Sequence, residues 1–161
     1  MSGAPQTARQ RRTARRPGRK LLGIDLGARR IGIAVSDDTG LIAAPVAVID
    51  LQRGDLSDIA LVATKYDVEA IVAGLPVNSM GDEGFQARDA RAQCARLADL
   101  TQLPIVMWDE RLTTAIAEDI LAARGRSRRP RRDDLDAVAA AVMLQSYLDS
   151  HPLPRGDHSG G

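Results

Sequence analysis

The sequence predicts an α/β domain in which an antiparallel meander of three strands precedes helical crossovers that favour parallel strands. Three observations carry this expectation. Three short apolar segments come first, each set off by a cluster of turn residues. Two more apolar segments then alternate with stretches of helical spacing. The patterned part lies between an Arg-rich beginning and a Pro/Gly-rich end, so the 161 residues make one domain with tails.

Leu21–Asp25 and Arg30–Ser36 flank Leu26-Gly27-Ala28-Arg29 and read as a hairpin. Leu41–Ile49, after the turn cluster Asp37-Asp38-Thr39-Gly40, supplies a third strand. Asp55–Lys65 has Leu56, Ile59, Ala60 and Ala63 at helical spacing. Ala70–Ala73 is a short strand of the buried type, and Gly74–Gly84 a loop. Phe85–Leu100 predicts a long helix with Ala87, Ala90, Cys94, Leu97 and Ala98 on one face. Ile105–Trp108 is the fifth strand, and Thr113 or Thr114 can cap a helix reaching Ala123. Gly125–Arg132 is a basic loop and Asp133–Leu148 the last helix, with tail composition from Asp149 onward. The expected organisation is a disordered basic arm over residues 1–20, a folded domain over 21–149 and a flexible tail over 150–161.

The net charge of +1 is a cancellation. Residues 1–20 hold seven cations and no acid; without them 15 cations face 21 acids, a balance of −6. Six of those 15 are Arg124, Arg126, Arg128, Arg129, Arg131 and Arg132. An acidic body thus carries two basic patches. The first lacks the apolar stretch of a secretory signal; it matches a solubilising arm, and also the Arg-rich, acid-poor composition of a mitochondrial-type presequence. No apolar run approaches the ~18 residues of a membrane span, and a cytoplasmic location is expected.

Residue types narrow the chemistry. The histidines, His151 and His158, lie beyond the last periodic segment, which argues against a Ser-His-Asp triad, a Cys-His dyad or a zinc site. One cysteine, Cys94, excludes an internal disulfide; it sits on the apolar helix face as a buried thiol, with a bridge to a second chain the sharper alternative. Four aromatics make a poor base-stacking platform, and Trp108 reads as core. Carboxylates and guanidiniums remain, so any metal should be a hard, oxygen-binding one.

Three acidic sites stand out. Asp25, in Gly23-Ile24-Asp25-Leu26-Gly27, either caps the hairpin or needs a cation or metal. Gly27 and Gly32 would let another backbone or a phosphate approach. Asp109 and Glu110 follow the fifth strand, where open α/β sheets place ligands. Alternation sends them to opposite faces, so at most one faces a given cleft. Asp133 or Asp134 suits a helix cap, while Asp136 falls in the first turn, where the helix dipole favours the ionised form a metal ligand must take. Together, the acids of a first strand, a later strand end and a final helix start match a two-metal phosphodiesterase. There, paired divalent ions activate water and no histidine is needed.

Gly23–Asp37, Val72–Gly84, Asp109–Thr114 and Asp136–Gln145 resemble, in order, the motifs of the YqgF (RuvX) family. Its members are provisionally described as pre-16S rRNA nucleases, and formerly as Holliday junction resolvase-like proteins. The resemblance spans residues 21–148 and implies an RNase H-like fold, a mixed five-stranded sheet flanked by helices on both faces. It implies Asp25, Glu110 and Asp136 as catalytic, metal-binding acids holding Mg²⁺ (or Mn²⁺), two ions in number. Asp136 is preferred over Asp133 and Asp134 because it alone has Ala139-Ala140 at the matching spacing. Gly74-Leu75-Pro76-Val77-Asn78 with Gly81 and Gly84 matches the family's substrate-side loop, whose amides, with Asn78, can hold phosphate. The arginines from Arg124 to Arg132 can grip flanking phosphates, and Arg30 and Arg111 either do the same or pair with acids. The expected activity is hydrolysis of phosphodiester bonds by an endonuclease, acting on structured or single-stranded 5′ precursor of small-subunit rRNA. The alternatives are cleavage of branched, four-way DNA by a dimer, and a non-catalytic RNA-binding or ribosome-associated module. No membrane partner is expected, and the chain is a monomer or homodimer. A domain of this length is half of what an actin-like ATPase needs, despite the likeness of the Asp25 motif.

Overall fold

The computed structural model describes residues 20–27, 29–75, 85–109 and 132–152. In chain order they form β1 (Lys20–Leu26), β2 (Arg30–Ser36), β3 (Ala43–Asp50), α1 (Leu56–Lys65), β4 (Val68–Leu75), α2 (Phe85–Thr101), β5 (Ile105–Asp109) and α3 (Arg132–Ser150). The helix expected at 113–123, the arginines from Arg124 to Arg131, and the arm over residues 1–19 lie outside the described residues.

The five strands form one sheet in the order β3-β2-β1-β4-β5. β1–β2 and β2–β3 are antiparallel; β1–β4 and β4–β5 are parallel. The predicted meander and crossovers are both present. β1 and β2 join through a tight turn in which the Gly27 amide donates to the Arg30 carbonyl at 3.0 Å. β3 starts two residues later than its apolar pattern suggests. The Asp37 carboxylate accepts from the amides of Leu41 (3.1 Å) and Ile42 (3.2 Å) and binds both into the turn. Burial pushes the Asp37 carboxyl up, but the hydrogen bonds from Thr39, Ile42, Leu41 and Gly40 outweigh it and hold the group below its ordinary value.

α1 opens with a reciprocal cap: Asp55 accepts from the Ser57 amide at 2.8 Å, and Asp58 accepts from the Asp55 amide at 3.0 Å. β4 is longer at both ends than expected. It begins after Asp67, whose φ of 50° reverses the chain, and it runs through Gly74 to Leu75, which the sequence places in a loop.

Helices cover both faces. Leu22, Ile24, Leu26, Ile31, Ile33 and Ile71 meet α1 and α2 through Ile59, Ala63, Ala90, Cys94 and Leu97. Leu21, Ala34, Ala70 and Val72 meet α3 through Ala140, Ala141, Met143, Leu144 and Tyr147. Burying each large aliphatic side chain contributes about 1.5–3 kcal/mol. Small residues let α3 lie close to the sheet: a Cβ on Gly23 would come within 2.8 Å of Leu144 Cβ. A buried amide fixes its position. Gln145 Oε1 accepts from the Ala43 amide at 3.0 Å, and its Nε2 donates to the Leu41 carbonyl at 2.8 Å. Breaking that pair would leave buried polar groups unsatisfied. Among the described residues no helix is long and apolar enough to cross a membrane.

Cys94 lies in the first of these clusters, 4% exposed, and burial pushes its thiol up to about 11. Thiolate is therefore scarce at neutral pH and shielded from reagents. The native protein should resist labelling by Ellman's reagent at pH 8 over minutes and react fully once unfolded in guanidinium. Rapid labelling of the native state would contradict this packing. The same burial disfavours an intermolecular bridge at Cys94.

Candidate active site

Alternation along β1 sorts its side chains. Leu22, Ile24 and Leu26 point toward α1 and α2, so Leu21, Gly23 and Asp25 fall on the α3 face. Asp25 is half-buried there. Its cross-strand partners are Gly32 on β2 and Gly74 on β4, and Gly74 in turn pairs with Trp108 on β5. The carboxylate thus stands between two glycines, with no side chain beside it in its own row. Among the described residues it has no hydrogen-bond or ion-pair partner. A bare carboxylate on an otherwise apolar strand face calls for a cation.

The α3 backbone at Asp136 comes down on the neighbouring residue of β2. A Cβ built on Gly32 would overlap the Asp136 carbonyl group and lie 3.0 Å from the Ala137 amide nitrogen. The α3 backbone therefore rests directly on β2 at the residue opposite Asp25. Directly opposed residues in an antiparallel pair have Cα atoms about 4.5–5.5 Å apart. Gly32 thus seats the α3 backbone at Asp136 against the residue paired with Asp25. Gly32 had been expected to admit a backbone or a phosphate, and what it admits is the helix backbone.

Arg30 Nη1 lies 3.7 Å from Asp136 Oδ2, with side-chain exposures of 27% and 40%. Of the two expectations for Arg30, the pairing with an acid is the one seen. At this distance and exposure the pair contributes at most about 1 kcal/mol, and it offsets negative charge at the patch. α3 begins at Arg132, one residue before the expected start. Arg132 therefore belongs to the helix and not to a loop. Asp133 and Asp134 are its second and third residues instead of caps, and Asp136 opens the second turn, where the dipole already weakens.

On β5, Val106 and Trp108 pack with the α3 cluster, whereas Ile105 and Met107 pack with the α1/α2 cluster. Asp109 has the parity of the latter pair, so it belongs to the face opposite Asp25. Glu110, Asn78, Gly81 and Arg111 lie outside the described residues. Accordingly no cluster of three ligating side chains is complete among the described residues; Asp25 and Asp136 are two of the three acids expected. Both offer hard oxygen donors and suit Mg²⁺ or Mn²⁺ over a thiolate- or imidazole-seeking metal.

Trp108 is a packed residue, as expected. Its ring meets Tyr147 edge-on at 5.3 Å and His151 at 5.2 Å, and Tyr147 stacks on His151 at 4.2 Å. α3 runs to Ser150, and the His151 amide donates to the Tyr147 carbonyl at 3.0 Å, so His151 closes the helix in place of opening a tail. Sequence reading missed this, and it missed Gly74 as the second glycine beside Asp25. A glycine at the end of an apolar run was the available signal for the latter.

The RuvX family model, described as Holliday junction resolvase, matches residues 19–150. A relative from Geobacillus kaustophilus (strain HTA426), provisionally named a pre-16S rRNA nuclease, is 44% identical over 135 residues, covering 81% of this chain and 98% of its own. One of the same provisional name from Lactococcus lactis subsp. cremoris (strain SK11) is 40% identical over 138 residues, covering 83% and 96%. Among solved structures, Thermus thermophilus RuvC in complex with a Holliday junction substrate superposes with a TM-score of 0.54 at 17% identity, covering 82% of this chain and 96% of that one; the likeness is one of fold.

Proposed function

The chain belongs to the RuvX family, and on that footing we propose that it is a metal-dependent endonuclease that trims the 5′ region of precursor 16S rRNA. The observation that carries this is the Asp25–Gly32–Asp136 arrangement: a strand carboxylate flanked by two glycines, with the helix backbone at Asp136 resting on one of them. The provisional names of the relatives support the RNA substrate.

Asp25 and Asp136 would hold divalent metal, Mg²⁺ or Mn²⁺ and two ions in number, with Glu110 as the third acid. The parity of Asp109, opposite to that of Asp25, speaks against Asp109 as the third acid and so favours Glu110 of the pair. Bound divalent metal supplies Lewis acidity toward a phosphoryl oxygen and a water nucleophile at neutral pH. The protein contributes position. Asp25 is fixed by strand pairing on both sides, the α3 backbone at Asp136 is held against β2, and Gly74 leaves the phosphodiester room to approach on the β4 side. Arg30 balances Asp136 and keeps two acids from repelling the substrate strand. Asn78, Gly81, Arg111 and the arginines from Arg124 to Arg132 would grip flanking phosphates.

The test is cleavage of a precursor-rRNA fragment and of a four-way DNA junction by the purified protein with Mg²⁺ or Mn²⁺. Cutting of the RNA, lost on adding EDTA and restored by excess metal, is expected. Cutting of the junction alone would give the reaction to DNA, as the family's description suggests. Binding of RNA without any cutting would make the chain a non-catalytic RNA-binding module.

A further inference from the structure

A second feature adjoins the acidic patch. β3 is an edge strand of the sheet. Between it and the start of α3 runs a groove of about 530 Å³, lined by Pro45–Val48 of β3, Ala137 and Val138 of α3, and the charged residues Arg30, Asp50 and Arg53. Its volume falls in the range of about 300–1,000 Å³ typical of ligand pockets.

The charges within it are arranged asymmetrically. Arg30 spans the groove and the catalytic patch, because its guanidinium lies 3.7 Å from Asp136. Asp50, the one carboxylate in the lining among the described residues, is turned back on its own loop, where Oδ1 accepts from the Gln52 amide at 2.9 Å. Arg53 is exposed, and its guanidinium has no hydrogen-bond or ion-pair partner among the described residues. Its backbone is nonetheless held, the Arg53 amide donating to the Asp50 carbonyl at 3.0 Å. An anchored backbone with a free guanidinium over an apolar floor suits a phosphodiester chain: phosphate for the cation, sugar and base for Pro45, Val48 and Val138.

We propose that this groove is the track for the substrate backbone on the β3 side of the cleavage point, with Arg53 as its phosphate contact. The inference rests on the nuclease reading above, and it assigns a binding role to a residue that no sequence motif singled out. The backbone passes Arg53, crosses Arg30 and arrives at Asp25 and Asp136 from the side opposite β5.

The experiment measures binding of a fluorescein-labelled single-stranded RNA, and of DNA of the same sequence, in an Asp25→Asn background across 50–300 mM salt. Arg53→Ala is expected to raise Kd about 3–10-fold and to lower the salt slope by about 0.7, the value for one lost phosphate contact on a single strand. Arg53→Lys should retain most of the affinity, and the losses should be equal on RNA and DNA. With Asp25 present, Arg53→Ala should raise KM and leave kcat unchanged. An unchanged salt slope, a loss confined to one nucleic acid, or a fall in kcat without weaker binding would each overturn the track. The two readings fail separately. Wild-type protein that binds and never cuts removes the nuclease while the track stands; cutting that is indifferent to Arg53→Ala removes the track while the nuclease stands.

Discussion

Asp136→Asn is expected to reduce the rate of cleavage by about 10³-fold or more, equivalent to roughly 4 kcal/mol of transition-state stabilisation, without unfolding the protein. An amide keeps the shape of the side chain and removes the charge that would draw a divalent ion, so the loss should fall on kcat more than on KM. Stability should barely change. The substitution gives up a loose, part-exposed ion pair with Arg30, worth about 0–1 kcal/mol. Asp25→Asn should show the same loss of rate with a melting temperature at or above that of the wild type, because the Asp25 carboxylate has no partner to lose among the described residues. Asp133→Asn and Asp134→Asn should cut normally. The measurements are single-turnover cleavage and a thermal melt for each variant. Full activity in Asp136→Asn, or loss moved to Asp133 or Asp134, would refute the site as assigned.

Gly32→Ala should be the most damaging glycine-to-alanine substitution among the described residues. The added methyl would occupy the space of the Asp136 carbonyl, which is backbone and cannot swing aside. Either α3 lifts from the sheet or β2 bends. Overpacking of this kind costs about 1–3 kcal/mol and occasionally more, or roughly 2–12 °C in melting temperature for a domain of this size. Because the helix that must move carries Asp136, cleavage should fall together with stability. That coupling separates it from Asp136→Asn, which loses rate alone. A variant with wild-type melting and wild-type rate would mean that α3 does not rest on β2 at this residue.

Much of this was legible locally. The hairpin, the α1 helix and the long α2 follow from apolar period and turn chemistry, both set by neighbours in the chain, whereas the cap that makes Asp55 precede α1 was not read. Where the boundaries moved, a longer-range or side-chain contact moved them. Asp37 draws Leu41 and Ile42 into the turn ahead of β3, and pairing with β1 and β5 carries β4 through Gly74. His151 looked like tail because its neighbours in sequence are Pro, Gly and Asp; its stacking on Tyr147 and its edge contact with Trp108, from a different strand, hold it in place.

By itself the sequence determined the kind of chemistry this protein can perform, because composition leaves carboxylates and guanidiniums where histidine and cysteine would otherwise act. It also determined the elements on which Asp25 and Asp136 sit. Only the tertiary structure decided that the α3 backbone at Asp136 rests on Gly32, the residue paired with Asp25, and that Asp109 lies on the opposite face from Asp25. Strand order places Gly74 beside Asp25 across 49 residues of chain, and α3 settles on Gly32 from more than 100 residues away. Periodicity reports which face of its own element a residue occupies. Which elements share that face depends on pairing register and on where a glycine lets one backbone rest against another.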